Sequence, residues 1–210
     1  MKSDIKQAIM DTARQLFNEK GFHDTGMRDI AAALNISVGN LTYHYKKKED
    51  LIEAILLQDH QKYQKPKPLY TFDDLNQLLL DITDQKDSRP YYYRHYVQLA
   101  QICPAVYEMQ VSVLKNLRDA LTESFHNFVN AGLLKEEFAQ EYKNIAGVIM
   151  TLMVYGLPDF YQMEETNRLL LNCVWSILIP CFTEPGREQY NSLMLMEKSQ
   201  RKDPVTPQPK

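Results

Sequence analysis

Cysteine, glycine and proline are all scarce in these 210 residues. Three cysteines, Cys103, Cys173 and Cys181, are too few for a disulfide framework, and no C-x-x-C pair exists. A zinc ribbon and a thioredoxin-like site are therefore excluded. Seven glycines and ten prolines fall below the roughly 12% of average proteins, so a mostly helical chain is expected. Long hydrophobic runs are also missing. The longest charge-free stretches, Asn144–Pro158 and Leu169–Thr183, are 15 residues each and contain polar side chains. A membrane helix needs ~18 or more apolar residues, so none is expected. The opening MKSDIKQAIMDTARQLF has no apolar h-region; no secretory signal is expected, and the protein is expected to be cytoplasmic. No G-x-G-x-x-G, P-loop, H-E-x-x-H or G-x-S-x-G occurs. Glu136, Glu137 and Glu141 lack the partner histidines of a di-iron bundle, so neither catalysis nor a cofactor or metal is expected.

What is present is an ordinary globular composition, 44% hydrophobic and 24% charged, with a net charge of -3. That balance excludes a histone-like polycation but leaves room for local basic surface. Residues 1–50 carry eight Lys/Arg and seven Asp/Glu, while the other 160 carry 16 and 20. Within the first part, Ser37–Lys48 has no acid, and it includes Tyr43, His44 and Tyr45 followed by Lys46, Lys47 and Lys48.

Ile5, Ala8, Ile9, Ala13, Leu16 and Phe17 recur at helical spacing, and Gly21 ends that first helix. Thr25 is placed to cap a second helix, Met27–Leu34, through its hydroxyl. Asn35 falls where a short turn requires positive φ. Ser37 then caps a third helix, which turns Val38, Leu41 and Tyr45 inward with Thr42 at the edge. Gly39, Asn40, Tyr43 and His44 face out. Two helices joined by a three-to-four-residue turn, the second short and polar outside, form a helix-turn-helix over about residues 25–45.

The run ARQLFNEKGFHDTGMRDIAAALNISVGNLTYHYKKKEDL resembles the DNA-binding segment of the TetR family of bacterial repressors. The matching residues are Ala13, Leu16-Phe17, Gly21-Phe22, Thr25, Ile30-Ala31, Ile36-Ser37, Gly39, Leu41, Tyr43-His44-Tyr45, Lys48 and Leu51. One departure stands out: Thr42 occupies the place of the family's usual tyrosine. Gly39 lets the helix backbone approach a groove, and Asn40 carries the donor and acceptor that match adenine. Tyr43, His44 and Arg28 suit phosphates, with Lys46 adding general charge. Thr42 can meet a thymine methyl or pack inward, and its position on the wheel favours packing. Lys48 opens the fourth helix, where an anion is favoured, and the resemblance assigns it to a phosphate. Thr25, Arg28, Ser37, Gly39, Asn40, Thr42, Tyr43, His44, Lys46 and Lys48 are thus the expected DNA-binding set.

Beyond residue 48 the pattern continues as helices: Lys48 to about Gln64, one through Leu75–Ile82, a polar break at Asp84–Pro90, Tyr91–Ile102, and Val106–Val129. Helices over 136–162 and 164–182 follow, with segments that read as apolar on every side, so a second copy of the chain is expected to cover them. The resemblance implies the same homodimer. Tyr92, Tyr93, Tyr96, Tyr107, Met109, Phe125, Met150, Met153 and Tyr155, with Phe160, Tyr161 and Met163, combine large apolar surface with the hydroxyls of the tyrosines and the adaptability of the methionines. They suit a core or the lining of a small-molecule pocket, and the resemblance implies an effector pocket in this region. The expected layout is all-α: a DNA-binding domain at 1–48, an effector-binding and dimerisation domain at 49–196, and a disordered tail at 197–210. The expected function is an effector-released repressor on a palindromic DNA operator. The alternative is a helical adaptor that has lost DNA binding.

Overall fold

The computed structural model describes residues 2–156 and 166–200. Eleven α-helices are found among them: α1 Lys2–Lys20, α2 Met27–Ala33, α3 Val38–His44, α4 Lys48–His60, α5 Phe72–Ser88, α6 Pro90–Arg94, α7 Tyr96–Ile102, α8 Pro104–Asn130, α9 Tyr142–Tyr155, α10 Thr166–Leu178 and α11 Glu184–Gln200. The fold is all-α; among the described residues the one extended pairing is an isolated bridge between Leu134 and Phe182. No described helix is long and apolar enough to cross a membrane. Two compact units form, Met1–Lys65 with Asp84–Asn116, and Pro66–Thr83 with Leu117–Lys210.

In the first unit, Ile9, Ala13 and Phe17 of α1 are fully buried with Ile30 of α2, Leu41 of α3, and Leu51, Ile52 and Ile55 of α4. Gly21 takes φ +91°, so the chain can reverse directly after α1 and seat Phe22 edge-on to Phe17, ring centroids 5.3 Å apart. Asn35 holds φ 55° in the α2–α3 turn, the conformation the sequence calls for. Tyr91 of α6 packs on Phe17 at 5.8 Å. Below it, Asp59 accepts from Arg14 at 3.0 Å and pairs with Arg89 at 3.8 Å, joining α1, α4 and the start of α6.

The second unit is built round Trp175, Phe72, Phe125, Phe128, Tyr142 and Phe182, all buried. Trp175 Nε1 donates to Asn76 at 3.3 Å, and Asn76 Nδ2 donates to Glu197 at 2.7 Å, so the core's one indole is satisfied.

Several expected boundaries move. The polar break at 84–90 is helical to Ser88, because no glycine or proline occurs before Pro90 and Thr83 and Lys86 turn inward. Tyr91–Ile102 is two short helices parted at His95, whose φ −114° and ψ 20° are not helical. The expected helix over 136–162 is a 3₁₀ turn at Glu136–Phe138 followed by α9, and the one over 164–182 is α10 followed by a 3₁₀ turn at Ile179–Cys181. Neither is apolar on every side, since α9 turns Lys143, Asn144, Val148, Thr151 and Tyr155 outward and α10 turns Leu169, Asn172 and Ser176 outward. Those faces are mostly uncharged, with Lys143 exposed on α9, rather than wholly apolar. Helix α11 is absent from the sequence expectations, and it runs to Gln200, into the segment read as a tail. Residues 157–165 and 201–210, including Phe160, Tyr161, Met163 and the remainder of that tail, lie outside the described residues.

Candidate nucleic-acid interface

The α2–α3 pair is held in place from beneath. Thr25 is fully buried, and its hydroxyl bonds the Gly21 carbonyl at 2.9 Å and the Leu16 carbonyl at 3.2 Å. It does not cap α2. Gly26 is the cap residue, and its N–H donates to the Asp29 carboxylate at 2.7 Å. Thr25 therefore ties the loop to α1 and has no exposed side-chain surface to offer a duplex. Arg28, in the first turn of α2, is exposed.

Ser37 caps α3 as expected, its hydroxyl accepting from the Asn40 N–H at 3.1 Å. Leu41 anchors the helix, at 0% exposure. The outward surface holds Gly39, Asn40 and Tyr43, the last 73% exposed, with the His44 ring edge-on to it at 5.1 Å. Val38, expected inward, is 39% exposed, because α3 leans on the core through Leu41 alone. Thr42 is half-buried and spends its hydroxyl proton on the Gly39 carbonyl at 3.2 Å. Tyr45 ends the helix half-buried, and that burial pushes its phenol up.

Gly39 has no internal reason to be glycine. Its φ is not positive, and an added Cβ would meet only the Ser37 hydroxyl, at an ordinary 3.8 Å. Glycine inside a helix costs about 0.5–1 kcal/mol relative to alanine. A position that carries that cost, with open space above it, suits a surface that another molecule approaches closely.

Lys46 and Lys47 are exposed, and Lys47 is the residue that caps α4. Lys48 differs. Its ammonium donates to the Phe22 carbonyl at 2.7 Å and the His23 carbonyl at 3.4 Å, and it lies 4.4 Å from the Phe22 ring centroid. Burial pushes its pKa down. A phosphate would have to compete with those carbonyls for it.

The residues expected to line a pocket divide between the units. Tyr92, Tyr93, Tyr96, Tyr107 and Met109 lie in the first and Phe125, Met150, Met153 and Tyr155 in the second. In the first, Tyr92 and Tyr96 are buried, and the rings of Tyr92, Tyr93 and Tyr96 pack together at 5.0 to 6.3 Å. Tyr107 is 53% exposed. Three polar residues that the sequence analysis missed surround the cluster. Arg89 lies 5.9 Å from the Tyr92 ring, and buried Gln110 donates to the Tyr96 carbonyl at 3.1 Å. Lys86 Nζ lies 5.9 Å from the Tyr93 ring, and burial pushes that lysine down to about 8. The position of Arg89, three and four residues before Tyr92 and Tyr93, is the signal that would have found it. In the second unit Phe125 and Met153 are core, Met150 is half-buried and Tyr155 is 45% exposed. A surface groove of about 530 Å³ runs there along α8 and α9, between Arg118, Lys143, Val148, Thr151 and Leu152.

Residues 9–55 match the family described as bacterial regulatory proteins, tetR family. Over 185 residues the chain is 28% identical to the biofilm operon icaADBC HTH-type negative transcriptional regulator IcaR of Staphylococcus aureus, covering 83% of this chain and 97% of that protein. A TetR-family transcriptional regulator of Marinobacter aquaeolei superimposes with a TM-score of 0.76 at 20% identity, covering 90% of this chain and 96% of that one. The triclosan complex of SmeT, the repressor of a Stenotrophomonas maltophilia multidrug efflux pump, shares the fold with a TM-score of 0.54 at 16% identity, covering 85% of this chain and 92% of that one.

Proposed function

We propose that this chain, a tetR-family protein through residues 9–55, is a dimeric, sequence-specific DNA-binding repressor whose hold on its operator is released by a small molecule. The observation that carries the proposal is the outer surface of α3. It is acid-free, it places Gly39 where the fold does not require a glycine, and it exposes Asn40 and Tyr43 beside it. A duplex is the partner that such a surface fits. The likeness to a negative transcriptional regulator over 97% of that protein's length supports repression.

In this proposal Asn40 reads a base edge, Tyr43, His44, Arg28, Lys46 and Lys47 hold phosphates, and Leu41 and Ser37 keep the helix in register. Two copies join through the largely uncharged outward faces of α9 and α10, which puts two α3 helices in successive major grooves of a palindrome. A small molecule weakens binding only by preferring the state with the wrong helix separation. The packed tyrosines beside Lys86 and Arg89 support an effector with an aromatic or apolar body and a polar group.

The test is binding of the purified protein to its own upstream DNA across a salt series, beside Asn40→Ala and Tyr43→Ala. Saturable, palindrome-preferring binding that weakens in both variants is expected. A folded dimer that binds no duplex at low salt is not a repressor, and the adaptor alternative would replace this one.

A further inference from the structure

We propose that Val38 and Thr42 together form an apolar edge on α3 that reads the 5-methyl group of a thymine in each half-site. The proposal rests on the DNA-binding function above and adds to it a determinant of operator sequence. The two residues lie four apart on a helix, one above the other on the same side. Val38 is a β-branched hydrocarbon left 39% exposed at the start of a helix whose other outward residues are polar or glycine. Thr42 gives its hydroxyl proton to the Gly39 carbonyl at 3.2 Å, so the γ-methyl is what it has left to offer a partner. Between them in sequence, Gly39 presents bare backbone with open space above it, and Asn40 presents an exposed amide.

The chemistry of that edge selects its target. Hydrocarbon cannot pair with the donors and acceptors of guanine, cytosine or adenine, and burying it against them would strand those groups unbonded. The thymine methyl is the apolar feature of the major groove, and small aliphatic side chains are its usual partners. Asn40, one residue along from Gly39, adds the amide that matches adenine, so the pair and the amide together favour an A·T-containing half-site.

The experiment is a methyl-deletion cycle. The wild-type protein first selects a duplex from a random-sequence library. Each thymine of that duplex is then replaced by deoxyuridine, which removes the methyl and nothing else. Affinities are measured for the wild type, Val38→Ala, Thr42→Ser and the double variant, each with an unchanged melting curve. At one thymine per half-site the wild type is expected to lose about fourfold in affinity, the value of one buried methyl. The double variant is expected to lose less than twofold from the same replacement. Equal losses for wild type and double variant at every thymine would overturn the proposal, as would a wild type indifferent to every replacement. Both results leave DNA binding itself standing. Failure of the wild type to select any duplex overturns the DNA-binding function, and this determinant with it.

Discussion

The ammonium of Lys48 lies 2.7 Å from the Phe22 carbonyl and 4.4 Å from the centroid of the Phe22 ring. A lysine at the first position of α4 thus closes the α1–α2 loop from the far side of the helix-turn-helix, and Phe22 is both its acceptor and its floor. The same loop is closed from inside by Thr25. Two residues that read as DNA contacts in the sequence are, in this geometry, the fasteners of the element that carries the contacts.

Lys48→Ala is therefore expected to act on stability before it acts on the salt dependence of binding. Loss of a charge-assisted bond at a half-buried site costs about 1 kcal/mol. A lysine that holds a phosphate adds about 0.9 to the slope of log affinity against log salt. Lys46→Ala and Lys47→Ala are expected to reduce that slope and leave the melting curve in place, while Lys48→Ala lowers the melting curve. Urea titrations and a salt series on one duplex separate the two. A Lys48→Ala protein with unchanged stability and a shallower slope would restore Lys48 to the phosphates.

Thr25 and Tyr43 make the complementary pair. Thr25→Val keeps the shape but leaves the Leu16 and Gly21 carbonyls without the hydroxyl, which is expected to cost about 1–2 kcal/mol. Tyr43 is 73% exposed, so Tyr43→Ala is expected to leave stability within about 0.5 kcal/mol and to weaken DNA binding. Thermal melts beside binding isotherms check both. Equal stability losses would mean that Tyr43 packs against the fold.

The helix-turn-helix was legible because local chemistry decides it: Gly21 and Asn35 supply the two positive φ values, and Ser37 supplies the cap. The capping role read for Thr25 and the inward place read for Val38 do not hold, and the bonds of Lys48 were not foreseen, because their environments come from residues distant in sequence. Thr25 bonds back to Leu16, Lys48 reaches Phe22, and Val38 is left out because Leu41 alone fills the core beneath α3. The helical wheel assigns Val38 and Leu41 to one face and cannot tell how much of that face the neighbours cover. The polar run at 84–88 read as a break for the same reason, since what keeps it helical is the burial of Thr83 and Lys86.

His95 is expected to make the first unit sensitive to acid. It stands at the break between α6 and α7 with its ring 4.6 Å from that of His23, whose Nε2 lies 2.9 Å from Gln98 Oε1. Burial, then the neighbouring His23, hold the His95 pKa below its ordinary 6.5. The folded state then binds fewer protons than the unfolded chain, so this group's contribution to stability is present above pH ~6.5 and is lost as pH falls from there through the lower folded-state pKa. The urea midpoint is expected to drop between pH 7.5 and pH 5.5, and to drop less in His95→Gln. An equal drop in both proteins would assign the acid sensitivity elsewhere.

The outward faces of α9 and α10 give the last prediction. Val148 is 49% exposed and Leu169 44%, on helices whose other outward residues include Asn144, Thr151, Tyr155, Asn172 and Ser176, with Lys143 the charged one on α9. A lysine introduced at Val148 joins a groove whose charged lining residues, Arg118 and Lys143, are both positive, and it would be desolvated by a second copy, which is unfavourable unless it is paired. Val148→Lys is therefore expected to yield a folded monomer by sedimentation, with helical content unchanged, because the side chain stays in water when no partner covers it. Losing the second α3 removes the gain from two linked half-site contacts, so operator affinity should fall on the order of 10²-fold or more. Val97→Lys provides the control, since Val97 is equally exposed, at 54%, but lies on α7 in the first unit. It is expected to leave both the dimer and the affinity intact. If Val97→Lys dissociates the protein and Val148→Lys does not, the second copy docks on the first unit rather than on α9 and α10.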